Sequence, residues 1–198
     1  VRVLDCAGSG YSSSVVAGIN WVVQSHPGGT GIINMSLGGP SNSAIDSAVA
    51  DATNAGLTVV VAAGNSSTDA CNSSPARAPS AITIGAIDRT DSQASYSNYG
   101  SCVDLWAPGT SITSSWIGGT TASRTISGTS MAAPHVAGLA ARLAQSSPGI
   151  SNAEIVAKLS TPNSKSLAVT TFVETEDPTS TTSTLPGTTT TVTPETSI

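Results

Sequence analysis

Apolar residues along this chain recur at two spacings. Short continuous runs of strand length occur at 1–4 (VRVL), 32–36 (IINMS), 57–63 (LTVVVAA), 81–87 (AITIGAI) and 103–107 (VDLWA). Between them the spacing turns helical. From Ser12 to Ser25, Val15, Ile19 and Val22 fall on one face, and the serines ahead of them are expected to cap it. From Ser41 to Ala55, Ile45, Val49, Ala52 and Ala55 share a face, and Gly56 stands where a left-handed residue ends a helix. Two further helices are expected at 129–146 and about 151–160. Strands that are apolar on both faces and alternate with helices predict a parallel sheet covered on both sides, a three-layer α/β fold.

The pattern ends near residue 168. The stretch TFVETEDPTSTTSTLPGTTTTVTPETSI is dominated by Thr and carries Pro178, Pro186 and Pro194. It has too few apolar side chains to bury a core, so 169–198 is expected to be a disordered linker open to O-glycosylation, and 1–168 the folded domain. The 198 residues are only 10% charged, contain 19 glycines and carry a net charge of −5. That balance argues against a nucleic-acid or anionic-membrane surface. No apolar run reaches the length of a membrane span. The chain begins with Val, and VRVLD reads as a strand already under way, so its natural N-terminus is expected to lie further upstream.

There are three cysteines. Cys71 and Cys102 sit in Gly/Ser/Asn-rich loops and are expected to form a disulfide, two free thiols being the alternative. Such a bridge would stabilise by about 3–4 kcal/mol on the loop-entropy account and implies an oxidising, extracellular compartment. Cys6 is then left to a partner outside this chain.

Candidate chemistry gathers at the ends of the apolar runs, where open parallel sheets bind their ligands. SLGG (Ser36 to Gly39), AAGN (Ala62 to Asn65) and DCAGSGYS (Asp5 to Ser12) expose glycine-rich backbone. They could serve as ordinary turns or let another chain pair as an added strand. Ser130 falls at the start of a helix, where unpaired N–H groups favour developing negative charge. It reads as a helix cap or as a nucleophile. The two histidines do not supply its base. His135 is about 140° around the helix from Ser130, and His26 follows a helix that runs back to the far edge of the sheet.

The stretch GTSMAAPHVAGLAA resembles the active-site serine segment of the subtilisin-like serine proteases, the subtilases. VVVAAGN is similar to their oxyanion-asparagine segment and NMSLGG to one of their substrate-binding strands, in the same order. VRVLDCAGSG, SNYGSCVDLWAPGTSI and SSWIGG resemble the proteinase K-like branch. The resemblance covers about residues 1–168 and implies a secreted, monomeric serine endopeptidase acting on proteins or peptides. It implies Ser130 as nucleophile and Asn65 as oxyanion donor. Gly8, Ser9 and Gly10 with Ser36, Leu37 and Gly38 would flank the substrate backbone, and Ala62, Ala63 and Gly64 would line the pocket before the scissile bond. It also implies a structural calcium on Pro79, Ala81 and Asp104, and no catalytic cofactor.

The family's Asp-Thr/Ser-Gly and His-Gly-Thr-His segments do not occur here. Both are expected upstream of Val1, which leaves these 198 residues without a general base and poorly active. The alternative is a non-catalytic relative that binds peptides or serves as an extracellular structural module. Three glycosylation sequons begin at Asn34, Asn65 and Asn72. Asn72 is the credible acceptor, since Asn34 is expected in a buried strand and a glycan on Asn65 would block the site.

Overall fold

In the computed structural model, which describes residues 1–28 and 31–160, most of the apolar runs become a parallel sheet. The elements in chain order are α1 (Ser12–Ser25), β1 (Gly31–Met35), β2 (Gly39–Pro40), α2 (Ser43–Asn54), β3 (Leu57–Ala62) and β4 (Ser73–Ser74). They continue with β5 (Ile82–Ile87), β6 (Leu105–Pro108), β7 (Ile112–Ser115), β8 (Ser123–Ile126), α3 (Thr129–Ser146) and α4 (Asn152–Leu159). Four strands form the main sheet in the order β1-β3-β5-β6, all parallel.

Strand β3 shows why. Its side chains alternate between the sheet's two faces. Val60 and Ala62 join α3 and α4 residues such as Ala133, Val136 and Ile155. Val59 and Val61 join α1 and α2 residues such as Val15, Ile19, Ile45 and Val49. Val59, Val60 and Val61 are fully buried, each worth about 1.5–3 kcal/mol of apolar transfer. Both layers of helices are therefore required, and the architecture is the three-layer α/β/α expected.

Several expectations are corrected. Residues 1–4 form no strand. Val3 seats on Gly18 of α1, and an added Cβ on Gly18 would collide with it. The segment lies along the helix and pairs with no described strand. The serines at the start of α1 are inside its first turn, and Tyr11 stands at the cap position with no side-chain bond. Helix α2 starts at Ser43 because Asn42 Oδ1 accepts the N–H groups of Ala44 and Ile45 at 3.0 and 3.2 Å. Asn34 is exposed, because β1 is the sheet's edge. The β7–β8 hairpin has no counterpart in the hydrophobic pattern, since its strands are mostly polar and exposed. It is bridged across its end by Arg124 over the Trp116 ring at 4.7 Å.

Cys71 and Cys102 are bridged, with Cα atoms 5.3 Å apart, and Cys6 is free and exposed. No described helix is long and apolar enough to cross a membrane. The linker expected at 169–198 lies outside the described residues.

Helix α4 closes the α3 face through the buried Ile155 and Leu159. Ser151 Oγ caps the Glu154 N–H, and the Glu154 carboxylate accepts from both Ser151 N (2.9 Å) and Ser151 Oγ (2.7 Å). Those bonds, chiefly the hydroxyl's, hold the Glu154 pKa below its ordinary 4.5. A depressed carboxylate stabilises above its unfolded pKa and loses that contribution as pH falls through the folded one. Protection of the α4 amides, taken relative to their intrinsic exchange rate, should therefore fall as pH drops below the ordinary carboxylate range, and Glu154→Gln should remove that dependence.

Candidate active site

Helix α3 begins with a side chain that bonds outward. Thr129, fully buried, accepts the Gly64 N–H on Oγ1 at 3.1 Å and donates the same hydroxyl to Asn65 Oδ1 at 3.0 Å. Its own N–H also donates to Asn65 Oδ1, at 2.8 Å. An amide N–H can only donate, so the Asn65 atom it meets is the oxygen. Asn65 Nδ2 is left to donate elsewhere, beside Gly128 at the start of the helix. The loop after β3 is thus fastened to the start of α3.

Asn98, 2% exposed, fastens the same loop from behind. Its Nδ2 donates to Ala63 O at 2.8 Å, and its Oδ1 accepts from Ser66 N and Thr68 N at 3.0 and 3.2 Å. Gly64 is required here twice over. Its φ is +105°, and a Cβ would run into Asn98 Nδ2.

Ser130 follows Thr129 in the first turn, where its N–H has no partner one turn back. Ser130 Oγ donates to the Ser36 carbonyl at 3.2 Å, and Ser36 Oγ donates to the Ser130 carbonyl at 2.9 Å. Asn34 Nδ2 in turn donates to Ser36 Oγ at 3.0 Å. Pro134 explains why that carbonyl is available. In a regular helix the N–H at position 134 would bond to it, and proline has none.

Leu37, Gly38, Ala62, Ala63, Gly64, Asn65 and Ser130 share one cleft of about 460 Å³ with Thr129 and Asn98. Ser36 meets Ser130 directly. Gly8, Ser9 and Gly10 are not brought there. Asp5 Oδ1 gathers the N–H groups of Ala7 and Ser9 into a local turn, and Ser9 and Gly10 line a separate hollow beside Tyr11. His135 Nδ1 meets Met131 O at 2.8 Å, one turn back along α3. His26 ends α1, ahead of the start of β1 and so at the opposite edge of the sheet. Among the described residues neither histidine serves Ser130.

Asp104 Oδ2 accepts the Thr83 N–H at 2.7 Å, which sets this carboxylate beside the start of β5, next to Ala81. The calcium set expected at Pro79, Ala81 and Asp104 consists of oxygen donors, the class that this cation takes. Among the described residues no group of three His, Cys, Asp or Glu side chains lies together, so a cation there would draw mainly on backbone and water.

Sequence reasoning missed the Thr129 hydroxyl, Asn98 and the Asn34–Ser36 relay. Their roles depend on partners 30 to 94 residues away. One signal was present in the sequence: a proline four residues after Ser130.

The sequence profile of the subtilase family matches residues 1–185. The chain is 57% identical over 166 residues to the extracellular serine proteinase of Thermus sp. (strain Rt41A), covering 82% of this chain and 40% of that protein. It is 56% identical over 146 residues to proteinase T of Parengyodontium album, covering 71% of this chain and 49% of that one. Among solved structures, a cold-adapted subtilisin-like serine proteinase superposes with a TM-score of 0.76 at 50% identity, over 80% of this chain and 57% of its own. The chain therefore spans less than half the length of these two sequence relatives.

Thr129→Val keeps the side chain's shape and deletes the hydroxyl, leaving the Gly64 N–H without its acceptor. Denaturant unfolding should show a loss of about 1–3 kcal/mol.

Proposed function

The chain belongs to the subtilase family, and from that premise we propose that it carries the nucleophile and oxyanion side of a serine endopeptidase centre. The observation that carries this reading is the shared first turn of α3. It presents the Ser130 hydroxyl and N–H while Thr129 turns Asn65 so that its NH₂ faces outward. A substrate carbonyl attacked by Ser130 Oγ would place its oxyanion between the Ser130 N–H and Asn65 Nδ2, at a helix N-terminus that favours negative charge. An acyl-enzyme on Ser130 follows, and water hydrolyses it. The glycine-rich backbone of Ser36–Gly38 and Ala62–Gly64 would pair with the substrate, and the small residues at 62–64 leave room for a large apolar side chain.

The Ser130 proton rests on a backbone carbonyl, which cannot remove it. The base must come from outside the described residues. In subtilisin, a member of this family, loss of the catalytic His alone costs about 10⁶-fold in kcat. Residues 1–198 should accordingly hydrolyse peptides poorly or not at all. A relative named as extracellular and the Cys71–Cys102 bridge support secretion, and relatives named as proteinases support protein substrates; a monomer with no nucleic-acid partner completes the proposed reading. The absence of a base among the described residues favours one second reading, a non-catalytic relative that binds peptides.

A fluorophosphonate separates the two. It should modify Ser130 alone among the serines, faster as rising pH lets hydroxide stand in for the base. Asn65→Ala should slow the reaction by about 10²–10³, the range measured for one such donor in subtilisin. Labelling spread over many serines would leave only the non-catalytic reading.

We also propose calcium at Pro79, Ala81 and Asp104, acting on stability and not on chemistry. Chelation should then lower the Tm of the chain, and Asp104→Asn should abolish that calcium dependence.

A further inference from the structure

Tyr96 lies between β5 and β6, two residues before Asn98, and it bonds in two directions. Its carbonyl accepts the Ser67 N–H at 3.0 Å, two residues after Asn65. Its hydroxyl donates to Gly109 O at 2.9 Å. That same oxygen accepts the Gly128 N–H at 2.8 Å, two residues ahead of Ser130. A hydroxyl has one proton, and a carbonyl can only accept. The Tyr96 proton therefore goes to Gly109 O, and Thr110 Oγ1, 2.9 Å away, donates its own to the Tyr96 oxygen. Gly109 has little freedom to move in response. Its N–H donates to Ile87 O at 3.0 Å, and even a Cβ there would run into Ala86.

These bonds close a ring. From Asn65 the backbone runs to Ser67, crosses to Tyr96 and passes along that side chain to Gly109. It then crosses to Gly128 and continues to Thr129, whose N–H and hydroxyl return to Asn65. The loop after β3 and the first turn of α3 are thus joined by two separate routes, one through Thr129 and one through Tyr96. A single joint leaves two bodies free to pivot about it. A second joint, made elsewhere, removes that freedom.

We infer that Tyr96 is a positioning residue whose hydroxyl sets the spacing of the two oxyanion donors, the Ser130 N–H and Asn65 Nδ2. The inference rests on the catalytic reading of Ser130 and Asn65 and adds a group to it. Tyr96 makes no hydrogen bond to either residue, so it acts through the ring. An oxyanion gains most from donors already in place when its charge develops, and a small error in their separation weakens both bonds at once. The Tyr96 ring packs, half-buried, against the core cluster that includes α3 and β5 residues. Phenylalanine would fill the same space and lack only the group that holds Gly109.

The test is Tyr96→Phe in the full chain, read by fluorophosphonate labelling of Ser130, in which the phosphoryl oxygen stands where the oxyanion would. The variant should fold, because Gly109 O keeps the Gly128 N–H and Thr110 is half-exposed to water. The first-order labelling step should slow by about 3–10-fold, the weight of one hydrogen bond, while the affinity for the reagent stays the same. In an Asn65→Ala background the same substitution should slow it by less than about 2-fold, since spacing ceases to matter once one donor is gone. Amide exchange at Gly128 and Thr129 should rise by about 3–10-fold in Tyr96→Phe, reporting the opened ring directly. Unchanged labelling would overturn the inference. Slowing of equal size in both backgrounds would reveal a general loosening unrelated to the donors and overturn it too. Indiscriminate labelling of the unaltered chain would overturn the catalytic reading and the role assigned to Tyr96 with it. The unaltered chain thus reports on that reading, and the variant on Tyr96 alone.

Discussion

The buried hydroxyl of Thr129 is the joint on which the rest of the site depends. A hydroxyl both donates and accepts, and this one uses both capacities on the loop after β3: it accepts from Gly64 and donates to Asn65. The sheet alone would fix the ends of its strands only to within the freedom of their loops. The helix alone would fix only its own axis. Two hydrogen bonds from one side chain, with a third from its backbone, convert these into one rigid corner, and Ser130 and Asn65 inherit their mutual placement from it. Burial makes the joint costly to open, since a buried N–H without a partner loses its solvation outright.

Behind that corner, small residues let α3 approach the sheet. Ala132, Ala133 and Ala140 are fully buried against it. At Gly109 a Cβ would meet Ala86 Cβ at 2.6 Å and Gly128 O at 2.8 Å. The helix start is thus drawn in until Gly128 N–H reaches Gly109 O at 2.8 Å. Asn98 plays the matching part for the loop, supplying from one buried amide what several turns of regular backbone would otherwise supply. The site is rigid because its loops are tied to each other by side chains of opposite elements, and not because the loops are short.

Legibility in the sequence follows the same physics. Strands β3 and β5 were readable because a strand buried on both faces must be apolar throughout, and the helices because each buries one stripe. Residues 1–4 carry the same signal and form no strand: composition reports burial, while pairing requires a neighbour at the right place. The β7–β8 hairpin failed in the opposite way, being paired without being buried. The position of Asn34 in an apolar run predicts the interior, but an edge strand leaves such a position open. Ser130 and Asn65 stood out through contiguous motifs. Thr129, Asn98 and the Ser36 hydroxyl act through contacts between distant segments, which leave no local pattern. Gly8–Gly10 illustrate the converse, a motif that is intact in sequence but drawn by Asp5 into a turn of its own.

Pro134 places the interests of the helix and of the serine in opposition. As a helix residue it is a poor choice, forfeiting one bond of the ladder. Any ordinary residue there would restore that bond and strengthen α3, but it would also give the Ser130 carbonyl a second, axial claimant beside the Ser36 hydroxyl. The weakest rung of the helix is therefore the one that couples the serine to the strand opposite. Substitutions chosen for thermal robustness would be drawn to this position first, and robustness there would be gained by loosening the tie between Ser130 and Ser36.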